Sequence, residues 1–281
     1  PTYGRISRYG IIPYASSLDH VGYFTTNVED ACTMLEVRAG RDDRDMTSSL
    51  RPVEAYRDHL NSDLRGKVIG VLENVQEVIR DQAIRDNVEA LCEKLAARGA
   101  LIRRVRMPQE LMETILPVYL TIANAEATAN HSNLDGIRFG MREDGESVEE
   151  VMKNSRTKGF SAYVRKRFII GSYSLFVENQ DKLFRKAQKI RRLLVDHYRA
   201  LFAECDCILA SAAPTVAPLE DEASDEALGK EHLVADNHMQ LGNFSGYPSM
   251  TLPSGFVDGL PIGVNITCRP FEEQMMFDIA K

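Results

Sequence analysis

The sequence predicts an α/β fold, and three stretches carry that prediction. Residues 67–72 (KVIGVL) are a short β-rich run, 81–98 are helical, and 101–105 (LIRRV) return to strand after Gly99. Strand, helix, glycine and strand in that order make a β-α-β unit with a right-handed crossover. Residues 206–211 (DCILAS) read as a buried strand. Finally, 249–253 (SMTLP) and 262–268 (IGVNITC) flank the turn-rich Asp258-Gly259-Leu260-Pro261, which predicts a hairpin or a pair of neighbouring strands.

Along the chain, residues 1–25 mix Gly, Ser and aromatics without a period and read as loops and short extended pieces. Thr26-Asn27-Val28-Glu29 fits a capping box, with the Thr hydroxyl and the Glu carboxylate meeting orphan amides at a helix start. That helix is expected to run to about Ala39 and to stop at Gly40 in the C′ position. In the helix at 81–98, Ile84, Val88, Leu91 and Leu95 form one apolar stripe. A further helical region covers 108–130, and a longer one runs over about 178–202. There Leu183, Ala187, Ile190, Leu194 and Leu201 share a face, while Lys182, Arg185, Lys186, Lys189, Arg192 and Arg199 largely occupy the other.

Composition bounds the function. The 281 residues are 44% apolar and 27% charged, enough for a packed core and unlike a disordered tail or a disulfide miniprotein. No apolar run reaches the roughly 20 residues that cross a bilayer. The net charge of −7 argues against a global grip on nucleic acid. Locally, 153–199 holds thirteen Lys or Arg against three acids, a stretch read first as a solvated helix face. The five cysteines form no C-x-x-C, so neither a disulfide framework nor a zinc pair is indicated; Cys32 and Cys92 read as buried small hydrophobes in a reducing, cytoplasmic setting. His232 and His238 are six apart, without ligand-pair spacing, and no metal site is assigned. The dinucleotide, P-loop and G-x-S-x-G motifs are all absent, so the residues alone name no nucleophile and base.

Several long strings nevertheless resemble a known family. PTYGRISRYGIIPYASSLDHVG (1–22), ANAEATANHSNLDGIRFG (123–140), SRTKGFSAYVRKRFIIGSYSL (155–175), KAQKIRRLL (186–194) and GNFSGYPSMTLPSGFVDGLPIGVNITCRPFEE (242–273) are similar, in order, to amidase signature enzymes. The DGIRFG string and the RKRFIIGSYSL and KAQKIR blocks point to the branch formed by the A subunits of glutamyl-tRNA(Gln) amidotransferases. The resemblance implies an amidase signature fold, a mixed β-sheet core flanked by helices. It reads the whole chain, 1–281, as a partial amidase domain with a helical insert around 107–160. Pro1 without a Met and the helix-like FEEQMMFDIAK at the other end read as cuts, the first on the N-terminal side of the fold.

The family's glutaminase site is a Ser–cis-Ser–Lys triad. Neither its lysine segment nor its Gly/Ser-rich signature occurs here, so no catalytic residue is assigned and the lysine and both serines are expected upstream of Pro1. Ser16 and Ser17 belong to the later SSLD string and read as structural. What the resemblance does carry over is the glutamine-holding side. A free amino acid is told from other amides by an anion receptor for its α-carboxylate and an acceptor for its α-ammonium. The resemblance gives these roles to Arg167 and Asp236, with Tyr119 lining the pocket; from the residues alone they read as a solvated arginine, a loop carboxylate and a half-buried helix aromatic. Asn243-Phe-Ser-Gly-Tyr-Pro248 and Pro253-Ser254-Gly255 depart from the family's N-L-A-G-L-P and P-C-G, which bears on fine substrate preference.

The implied function is the hydrolysis of glutamine to supply ammonia for converting Glu-tRNA(Gln) to Gln-tRNA(Gln). The implied partners are the B and C subunits of the amidotransferase. ATP and Mg²⁺ would act at the B subunit, which holds most of the tRNA, and the small C subunit would clasp the other two. This chain alone, lacking the triad, is expected to be inactive. The alternatives are a stand-alone amidase of the same family acting on another small amide, and an RNA-binding module using the basic stretch.

Overall fold

A computed structural model of the chain describes residues 1–217 and 237–281. These form two compact units, one of residues 1–10, 20–116, 193–217 and 237–281, the other of 11–19 and 117–192.

The first unit is built on a five-stranded mixed sheet in the order β2-β1-β3-β5-β4, where β1 is Val68–Leu72, β2 Leu101–Val105, β3 Cys207–Ser211, β4 Ser249–Val257 and β5 Leu260–Cys268. β1 runs parallel to both β2 and β3, as a β-α-β unit requires, whereas β5 is antiparallel to β3 and β4. β3 is buried along its whole length, in keeping with its continuous apolar run. β2 is an edge strand and carries Arg103 and Arg104 outward, a charged edge that discourages pairing with other chains. β4 and β5 are joined by Asp258-Gly259 alone, with φ of 50° and 79°. Two left-handed residues match the twist of the flanking strands, so the hairpin alternative is the one realised.

Helix α1 (Val28–Arg38) starts one residue later than the capping box placed it. Asn27, not Thr26, is the cap, and its Oδ1 accepts the Asp30 amide at 2.7 Å. Asn caps at least as well as Thr, and here Asp30 returns a bond by accepting from Asn27 Nδ2 at 2.8 Å. The end lies where it was expected, with Ala39 as the C-cap and Gly40 in the C′ position, but Gly40, at φ +134°, donates its amide to the Arg5 carbonyl and not back into the helix.

Helix α2 (Glu73–Val78) follows β1 directly, and α3 (Gln82–Ala97) makes the crossover to β2, capped by Asp81. Its buried face is Ile84, Val88, Cys92 and Leu95. Val88, Cys92 and Leu95 meet Ile69 and Val71 of β1, Leu209 of β3 and Ile266 and Cys268 of β5 in the core. Leu35 of α1 and Phe277 of the last helix join that core from the two ends of the sequence.

Helices α4 (Gln109–Met112) and α5 (Ile115–Asn130) divide the region expected to be helical over 108–130. The second unit holds α5 from Pro117 on, α6 (Val148–Gly159), α7 (Ala162–Leu175), α8 (Val177–Gln180) and the first half of α9 (Phe184–Leu201). The helix expected over 178–202 is therefore broken at 181–183, and Leu183, in the break, lies exposed while Ala187 and Leu194 of its stripe are buried. Short α10 (Gln240–Ser245) precedes β4, and α11 (Glu273–Ala280) follows β5. Among the described residues no helix is long and apolar enough to cross a membrane.

Candidate ligand-recognition site

Arg167 sits in the middle of α7, within the second unit. Its Nη1 donates to the Tyr14 hydroxyl at 3.1 Å, and its Nη2 donates to the Tyr163 hydroxyl. The guanidinium carbon also lies 4.6 Å from the centroid of the Tyr163 ring. Tyr163 reaches it because residues four apart share a helix face. Tyr14 arrives from 153 positions away in sequence, on the segment 11–19.

That segment is tied down residue by residue. The Asp19 carboxylate accepts the Tyr14 and Ala15 amides at 2.9 and 3.1 Å. Asn130 Nδ2, at the end of α5, donates to the Tyr14 carbonyl and to Ser16 Oγ, both at 3.0 Å. The Tyr14 ring stands edge-on to His131 at 5.6 Å. Glu126 accepts the Ser17 amide at 2.9 Å and its hydroxyl at 2.6 Å, and Arg191 donates to Ser17 Oγ at 2.8 Å. Ser16 and Ser17 thus serve as fastenings for the loop that delivers Tyr14.

Burial works against the Arg167 cation, but its hydrogen bonds to Tyr14 and Tyr163 outweigh that, and its pKa lies above the ordinary arginine value. Among the described residues no carboxylate pairs with it, in contrast to Arg185, 2.9 Å from Asp181, and Arg138, 2.8 Å from Asp135. Tyr119, on α5, belongs to the same cluster. Burial raises its hydroxyl pKa, with Tyr14 adding to the shift, Arg167 opposing it, and Asp19 and Tyr163 contributing further. Two helices hold the cluster. On α7, Gly171 is one turn beyond Arg167, and a Cβ there would stand 2.1 Å from the Asn124 carbonyl oxygen of α5. Only glycine allows that approach.

Tyr119 and Arg167 are therefore in one unit and within electrostatic reach of each other, while Asp236, like His232, lies outside the described residues. Tyr14 and Tyr163 are additions that sequence reasoning missed; the i, i+4 spacing to Arg167 was a readable signal for Tyr163, and nothing local marked Tyr14. The first unit has a cavity of about 760 Å³ lined by Leu209, Met250, Leu252, Val264 and Ile266, but neither Tyr119 nor Arg167 contributes to it. Lys94, Arg98, Thr251 and Ser254 add polar groups to its wall. Among the described residues no group of three or more His, Cys, Asp or Glu could hold a metal.

A family model for amidases matches residues 1–277. The chain belongs to the amidase family. The A subunit of the glutamyl-tRNA(Gln) amidotransferase of Pseudomonas aeruginosa is 38% identical to this amidase chain over 281 residues, all of the chain and 57% of that protein. The crystal structure of the corresponding A subunit from Thermotoga maritima matches all of the chain and 55% of its own, at 29% identity and a TM-score of 0.76. A peptide amidase crystallised with the competitive inhibitor chymostatin shares the fold, at a TM-score of 0.78 and 24% identity over all of this chain and 56% of that one. This amidase chain thus spans somewhat more than half the length of the relatives it matches.

Proposed function

We propose that this chain supplies the glutamine-recognition side of a glutaminase, in the A subunit of a tRNA-dependent amidotransferase that converts Glu-tRNA(Gln) to Gln-tRNA(Gln). The observation that carries the reading is Arg167, a guanidinium held by two neutral phenols and left without a carboxylate partner among the described residues. Such a group keeps its full charge for an incoming α-carboxylate. Tyr119 would line the pocket beside it, and Asp236 would accept the α-ammonium. The similarity to the Pseudomonas aeruginosa amidotransferase supports the choice of glutamine over other small amides.

On this reading the nucleophilic serine, its bridging serine and the lysine base come from a segment that this sequence does not contain. Glutamine is hydrolysed through an acyl-enzyme, and the ammonia passes to a B subunit that activates Glu-tRNA(Gln) with ATP and Mg²⁺, with a C subunit joining the two. Residues 1–281 alone should give no glutamine turnover. A glutaminase assay on protein of the relatives' length, with and without the B subunit, tests the whole reading. Stimulation by that partner is expected; vigorous hydrolysis of an aliphatic amide, indifferent to any partner, would overturn it in favour of a stand-alone amidase.

Arg167→Ala in that longer protein should raise KM for glutamine by about tenfold to a hundredfold, the range expected for losing hydrogen bonds to a charged group. KM for a neutral amide without an α-carboxylate should change little. Equal effects on both substrates would remove the carboxylate-receptor role.

A further inference from the structure

Some arginines of the second unit pair with carboxylates and others donate to backbone carbonyls, as Arg156 does to those of His131 and Leu134. Arg185 pairs with Asp181 and Arg138 with Asp135. Arg167 is treated differently: both of its terminal nitrogens donate to phenol oxygens, Tyr14 at 3.1 Å on one and Tyr163 on the other. The difference has a chemical consequence. A carboxylate partner would fix the guanidinium but cancel its charge and compete with any anionic ligand. A phenol fixes it without cancelling anything.

The phenols have a second property. A hydroxyl that accepts an N–H bond still has its own proton to donate, and an adjacent cation makes that proton a better donor. Arg167 itself has five N–H groups, of which these two contacts use two. Three N–H and two O–H donors therefore remain around one positive centre.

We infer that Tyr14 and Tyr163 belong to an anion receptor built on Arg167: they hold its guanidinium in place while leaving its charge intact, and offer their own O–H groups to the carboxylate of the bound substrate. The inference rests on Arg167 being the carboxylate receptor, and it assigns substrate selection to a three-residue unit instead of one side chain. The supports of the two tyrosines fit this work. Tyr14 is fixed through its own amide and carbonyl by Asp19 and Asn130 and through its ring by His131. None of these contacts involves the hydroxyl. Tyr163, four residues from Arg167 on the same helix, also stacks under the guanidinium with its ring. Removing either hydroxyl thus leaves the ring packing in place, and phenylalanine is the appropriate probe.

The test is steady-state kinetics on Tyr14→Phe, Tyr163→Phe and Arg167→Lys in protein of the relatives' length, with glutamine and a neutral amide lacking the α-carboxylate as paired substrates. Each phenylalanine variant should raise KM for glutamine about three- to tenfold, with kcat and the neutral-amide KM unchanged. Because both tyrosines act through one guanidinium, the double variant should depart from the product of the two single effects. Unchanged glutamine KM in both phenylalanine variants, or equal rises for both substrates, overturns the inference. Arg167→Lys separates the two levels. If it raises glutamine KM while the phenylalanine variants do not, the receptor stands and the tyrosines have no part in it. If it too is without effect, the receptor reading falls and this inference falls with it.

Discussion

At the scale of single residues, the site depends on one missing side chain as much as on those present. Gly171 lets α7 approach α5 so closely that a methyl group would overlap the Asn124 carbonyl, 2.1 Å away, and Thr128 Oγ1, 2.2 Å away. The helices cannot both stay in place around a Cβ. Gly171→Ala should therefore destabilise the protein by about 1–3 kcal/mol, the usual cost of overpacking, seen as a lower urea midpoint. Arg167 is one turn away on the same helix, so on the proposed function KM for glutamine should rise too in protein of the relatives' length; a fully stable variant would show that the two helices slide freely. Ser17 makes the complementary point. Its hydroxyl donates to Glu126 and accepts from Arg191, so it is committed to holding the 11–19 segment.

At the scale of elements, two local devices can be tested separately. Asn27 caps α1 with its side chain, whereas Thr26 is outside the helix. Asn27→Ala should cost about 1 kcal/mol in urea unfolding and Thr26→Ala only a few tenths; the reverse order would restore the capping box read from the sequence. The turn at Asp135-Gly136-Ile137-Arg138 is organised by a buried carboxylate. Asp135 accepts the Arg138 amide at 2.8 Å, the Ile137 amide at 2.9 Å and Arg138 Nε at 2.8 Å. The backbone amides of Arg138 and Ile137, with the Arg138 guanidinium, lower its pKa to about 2. A carboxyl with a folded-state pKa below its unfolded value stabilises the fold above the unfolded pKa of about 3.9, and loses that contribution as pH falls toward the folded value. Wild-type stability should accordingly drop between about pH 4 and 2, and Asp135→Asn should flatten that part of the profile. An unchanged slope would mean the turn contributes nothing. The DGIRFG string was conspicuous in the sequence, but its carboxylate-centred hydrogen bonding was not, because that depends on backbone direction and not on residue type.

At the scale of the whole molecule, the five cysteines are free and buried. Burial is the first cause raising the thiol pKa values, to about 12 for Cys32 and Cys205 and about 11 for Cys92. Thiolate is the reactive form, so a thiol reagent at about pH 8 should modify the native protein only as fast as it unfolds, and all five sites quickly in urea. Rapid labelling of the native protein would contradict the packed core. The type of most elements was legible in the sequence, and a hairpin was one of two arrangements open to the last two strands. Hydrophobic period separates helix from strand, and Asp-Gly permits the two left-handed residues found at 258 and 259. The sequence also carried the resemblance from which Arg167, Tyr119 and Asp236 are proposed as site residues. The place of β3 between β1 and β5, where a parallel sheet turns antiparallel, and the meeting of Tyr14 with Arg167 across 153 residues came from the folded chain alone. The reason is physical: periodicity records which face of an element is buried, and the partner that buries it is chosen by the packing of the chain as a whole.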